Sequence, residues 1–135
     1  MFKLGVATAV LSLSVGIASV GAADKEAAEY LICDVEMVDG LTDKQTAKFG
    51  ISNGSTKGTD NGFIISVELD GDTLHYTNLN NNADMRMSRL SGEAGATVYG
   101  YDRYQFVLKD NQSRFEFHVN KDDYNAMYSG SCRGK

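Results

Sequence analysis

Apolar residues recur at every second position through most of this chain, a period that fits a strand with one buried face and does not fit a helix. Leu31, Cys33, Val35 and Met37 alternate with Ile32, Asp34 and Glu36. Phe63, Ile65, Val67 and Leu69 give the cleanest run, and Asp70-Gly71 after it suits a type I′ hairpin whose returning strand carries Leu74 and Tyr76. An asparagine-rich loop at 79–84 leads to a weaker strand from Met85 to Leu90, with a turn at 91–95. Val98 and Tyr99, then Tyr104, Phe106 and Leu108, then Phe115, Phe117 and Val119, and finally Tyr124, Ala126 and Tyr128 continue the pattern. Ala47, Phe49 and Ile51 also alternate, so a strand is expected from near Gln45, with a short helix capped by Thr42 or Asp43 as the alternative. Roughly seven or eight short strands with a turn about every ten residues make an all-β antiparallel meander.

The first residues read as an export signal. Lys3 supplies a positive start, Leu4 to Val20 carry no charge, and Val20-Gly21-Ala22-Ala23 offers small side chains for cleavage near Ala22 or Ala23. Residues 1–23 are therefore expected to be removed, leaving 24–135 as a single β domain. With Lys3 gone the balance is 12 basic against 18 acidic side chains. That sign argues against nucleic acid and anionic membrane surfaces, which select a basic footprint. No stable membrane insertion is expected after cleavage, and the location is periplasmic or secreted.

Only two cysteines occur, Cys33 and Cys132. In an oxidising compartment an even pair reads as a disulfide, which here ties the first strand to the last. A meander whose end strands are linked closes most simply into a small barrel, which hides its edges; a β-sandwich is the alternative.

Chemistry is sparse. His75 and His118 lie on the parity opposite their strands' apolar residues and are expected to face outward. No nucleophile elbow, glycine-rich phosphate loop or zinc-ligand spacing occurs, and the Asp/Asn-rich loops lack calcium-loop spacing. No enzyme activity, metal or cofactor is expected. Two sequons, Asn53-Gly54-Ser55 and Asn111-Gln112-Ser113, matter only in a glycosylating host. Tyr99-Gly100-Tyr101-Asp102-Arg103-Tyr104 is the best recognition candidate, because tyrosines beside an arginine suit protein interfaces. Tyr104 is expected to face inward, with Tyr99 and Tyr101 on the outer surface.

At Tyr30-Leu31-Ile32-Cys33 and Gly130-Ser131-Cys132 the chain resembles small disulfide-tied periplasmic β-barrels of the C-type lysozyme inhibitor kind. The resemblance implies the barrel and the compartment. It does not extend to the inhibitory motifs: after Ser91-Gly92-Glu93-Ala94, Gly95 stands where that family's S-G-x-x-Y segment has tyrosine, and Thr56-Lys57-Gly58 precedes Ser91-Gly92 where it would follow.

The expected function is that of an exported, non-enzymatic binding protein that meets a protein partner through Tyr99, Tyr101 and Arg103. A carrier of a small apolar ligand in the barrel interior is the alternative, and a lysozyme-inhibitor-like protein a further one.

Overall fold

The computed structural model describes residues 29–60, 62–93 and 95–135. The expected leader and its cleavage point lie outside the described residues. The elements run β1 Glu29–Asp39, α1 Asp43–Phe49, β2 Gly54–Ser55, β3 Ile64–Asp70, β4 Thr73–Asn78, β5 Asp84–Glu93, β6 Ala96–Tyr101, β7 Tyr104–Lys109, β8 Arg114–Asn120 and β9 Asn125–Gly134. Every pairing is antiparallel. From β3 to β9 each strand pairs with the next, β1 pairs with β3, and β9 returns to β1. Eight strands thus close into a barrel, and the two-residue β2 is an extra pairing on β1.

The seam between β1 and β9 is where the cysteines meet. Cys132 lies directly opposite Cys33, the two are disulfide-bonded, and Cys33 is fully buried. Opposite Ser129 and Gly130 the register slips by one residue, leaving Glu36 unpaired as a bulge. Parity reverses there, because an extra residue turns the following side chains to the other face. Met37, expected on the apolar face, is therefore exposed, and Val38 is buried in its stead. The bulged Glu36 carboxylate accepts hydrogen bonds from Ser131 Oγ at 2.7 Å and Arg114 at 3.1 Å. These bonds, Ser131's foremost, hold its pKa below the ordinary carboxylate range.

Three local expectations change. The 43–49 segment is a helix because its end signals prevail over its alternation. Thr42 has extended backbone and accepts from the Gln45 N–H, while Gly50 at φ 72° caps the other end and donates to the Thr46 carbonyl. The hairpin after β3 turns on Gly71-Asp72, one residue later than expected, with positive φ at Gly71 alone of the two, which is the sign pattern of a II′ turn. The weak strand from Met85 runs on to Glu93, carried past Leu90 by a second bulge.

Toward the end that carries the 71–72 and 110–113 turns, Leu69, Leu74, Met87, Leu108 and Phe115 are buried and fill the interior. The other end is different.

Candidate ligand site

Four connections converge on that second end: the α1-bearing segment, the 79–83 loop, the Asp102-Arg103 turn and the 121–124 turn. Strand alternation brings Tyr76 and Asn78 from β4, Tyr104 from β7, Phe117 and Val119 from β8 and Tyr128 from β9 to the inside. Phe63 before β3, Tyr124 before β9, and Phe49 and Ile51 around the end of α1 complete the wall with Asn81. They enclose a cavity of about 370 Å³ at the barrel mouth. Seven of the lining residues are aromatic, and none of the described lining residues is charged.

The rings are ordered about Phe117. Tyr104 lies 5.9 Å from it at 8° between planes, Tyr76 4.8 Å at 28°, and Tyr128 6.0 Å at 26°. Phe63 meets Tyr128 edge-on at 5.4 Å, and Phe49 meets Tyr124 at 6.4 Å. Burial pushes the Tyr76 phenol up to about 12, against a smaller opposing effect of its hydrogen bond to Asn78. Burial also takes Tyr128 to about 12 and raises Tyr124. These hydroxyls keep their protons at neutral pH, so the cavity offers hydrogen-bond donors as well as ring faces.

Two cations stand at the rim. Lys121 Nζ is 4.6 Å from the Tyr104 ring centroid, and Lys48 Nζ 5.8 Å from that of Phe49. A hydrogen bond to Tyr104 raises the Lys121 pKa, which keeps its ammonium charged. The α1 side of the mouth is joined to the 121–124 turn by Gln45, the buried polar residue of the helix. Its amide donates to Asp123 at 3.4 Å and accepts from the Thr42 hydroxyl.

Of the residues expected to recognise a protein, Tyr101 and Arg103 stand at the turn between β6 and β7, and Tyr99 does not share their exposure. Tyr99 is 6 % exposed and belongs to the core, contrary to its expected place on the outer surface. A two-residue turn joins β6 to β7 and sets Tyr99 opposite the fully buried Phe106; paired residues share a face, so Tyr99 must point inward. Tyr101, opposite Tyr104, has the same parity but sits where the strand ends, and is 58 % exposed. Arg103 is engaged locally, 2.7 Å from Asp122 and 3.4 Å from the Asn120 carbonyl.

Both histidines are on the outer wall, as their parity indicated. His75 Nε2 is 3.1 Å from Asp84, and His118 Nε2 is 3.0 Å from Glu116. His118 borders an external groove of about 310 Å³ with Asp102, Arg103 and Gln105, whose described lining has no hydroxyl or thiol side chain. A larger groove of about 570 Å³ runs outside the seam, but its carboxylates are already paired, Glu36 with Arg114 and Asp34 with Arg133. Among the described residues no group of three or more His, Cys, Asp or Glu is placed to hold a metal ion. The loop asparagines make turns instead: Asn78 Oδ1 accepts from the Asn80 N–H, and Asn81 Oδ1 from that of Ala83, each at 2.9 Å. Asn53 of the first sequon is occupied, exchanging two 2.9 Å hydrogen bonds with the Leu41 backbone.

Sequence reasoning placed Tyr76, Tyr104, Phe117, Tyr124 and Tyr128 on apolar parities but took them for ordinary core. What it missed was that Phe49 and Ile51 join them, since a strand in place of α1 sends that segment elsewhere. In three comparisons the chain matches no family model, no curated protein and no solved structure.

Proposed function

We propose that this protein binds a small apolar ligand in the aromatic mouth of its barrel. The observation that carries the reading is the cavity of about 370 Å³ walled by seven aromatic residues. A concave, mostly apolar space with a few placed polar groups is the form that small-molecule sites take, and its volume falls within their usual range. The disulfide and the lack, among the described residues, of a helix long and apolar enough to cross a membrane fit an exported protein. Recognition of a protein partner is the weaker reading, because Tyr99 lies in the core and Arg103 is held by Asp122.

The test uses N-phenyl-1-naphthylamine, a neutral dye that brightens when it leaves water. The chain has no tryptophan, so the signal is clean. Saturable one-to-one binding is expected, weakened about fivefold or more by Phe49→Ala with Tyr124→Ala and unchanged by Tyr101→Ala. Non-saturable binding, or equal affinity in the mouth variant, would remove the basis of the proposal.

A further inference from the structure

The arrangement of charge around the mouth narrows the chemistry of the occupant, on the premise that the mouth is the binding site. We infer that the ligand is an aromatic acid: a flat ring system that enters the cavity, with one anionic group left at the rim beside Lys121 and Lys48.

Three features lead there. First, the mouth is far richer in rings than the filled end: its described lining has seven Phe and Tyr against Ile51 and Val119 as aliphatic residues, whereas Leu69, Leu74, Leu108 and Met87 accompany Phe115 at the filled end. A site for a flexible chain gains nothing from concentrating rings. A flat molecule does, because Tyr76, Tyr104 and Tyr128 all lie within 28° of the Phe117 plane and a ring set in that orientation extends the stack. Each offset pair adds roughly two- to tenfold in affinity.

Second, none of the described lining residues is charged, so an ionised group buried deep among them finds no counter-ion. The charged end must stay at the opening. Third, the charges at the opening select its sign. Lys121 and Lys48 stand over Tyr104 and Phe49, two rings that line the cavity. They already occupy cation–π positions on two of the seven lining rings, and their charge repels a quaternary ammonium ligand from the others. Of the acidic groups near the opening, Asp122 is paired with Arg103 and Asp123 accepts from the Gln45 amide, while Asp102 stands near enough to Lys121 to help raise its pKa without removing its charge. An anion at the rim therefore meets two ammonium groups.

Displacement of N-phenyl-1-naphthylamine by four probes tests this: 2-naphthoate, 2-naphthalenemethanol, (2-naphthylmethyl)trimethylammonium and decanoate. At low salt 2-naphthoate is expected to bind about fivefold tighter than the alcohol, with the gap shrinking near physiological ionic strength. The cation and decanoate should bind more weakly than either. Lys48→Ala with Lys121→Ala should abolish the preference while leaving the affinity for the alcohol within about twofold. Lys48 is exposed and Lys121 half-buried, and neither belongs to the core, so an unchanged urea midpoint in the variant shows that it tests recognition and not folding. The inference is overturned if the alcohol or the cation binds best, if decanoate matches 2-naphthoate, or if the preference survives the double substitution. In each of those cases the mouth still binds ligand; loss of dye and probe binding altogether would instead remove the mouth as the site, and the inference with it.

Discussion

At the scale of single residues, the tyrosines of the mouth couple burial to proton binding. Tyr76 and Tyr128 titrate near 12 in the folded protein and near 10 when the chain unfolds, since burial disfavours the phenolate. A raised folded pKa contributes stability that is complete below pH 10 and lost as pH rises toward 12. Two pH units correspond to about 2–3 kcal/mol for the more deeply buried Tyr76 and less for Tyr128, which solvent screens more, so stability should fall between pH 10 and 12. Urea denaturation at stepped pH reads that slope, and Tyr76→Phe or Tyr128→Phe should flatten it; an unchanged slope in both would contradict the assignment. The neighbouring Tyr99 shows how much of the site was legible. Its inward direction was available from the chain itself, because the two-residue turn at Asp102-Arg103 pairs it with Phe106. Period two along one strand leaves the absolute facing open, and only the cross-strand partner fixes it.

At the scale of elements, the seam between β1 and β9 governs closure. A methyl group at Gly130 would stand 1.8 Å from the Asp34 carbonyl oxygen and 3.0 Å from the Glu36 nitrogen, both backbone atoms that side-chain rotation cannot move. Gly130→Ala is expected to cost about 2–4 kcal/mol or to abolish folding, whereas Gly134→Ala, with open space around it, should stay within about 0.5 kcal/mol. Equal denaturation midpoints for the two variants would show that the strands do not approach as described. The α1 segment gives the opposite lesson from Tyr99. Ala47, Phe49 and Ile51 carry a strand period, yet Thr42 and Gly50 supply the helix ends, and a seven-residue segment is too short for periodicity to decide. The outcome matters for function, since the helix delivers Phe49 to the mouth and Gln45 to Asp123.

At the scale of the whole molecule, the disulfide joins residues 99 positions apart and thereby constrains nearly the entire described chain when it unfolds. The chain-entropy account gives about 4–5 kcal/mol for a loop of that order. Cys33→Ala with Cys132→Ala should lower unfolding stability by about that amount, read as a shift in the urea midpoint; a loss below about 1 kcal/mol would mean that the paired β1–β9 ladder suffices without the bond. By itself the sequence determined that this is an antiparallel all-β chain whose end strands meet, because alternation, turn residues and a lone cysteine pair are each local or unique signals. Which end of the barrel fills and which stays open was decided only by the closed tertiary structure. The registers of all the pairings, with bulges at Glu36 and past Arg89, together set how the eight strands are staggered. That stagger gathers rings from β4, β7, β8 and β9 into one rim, and no single strand's pattern records where its neighbours' side chains will stand.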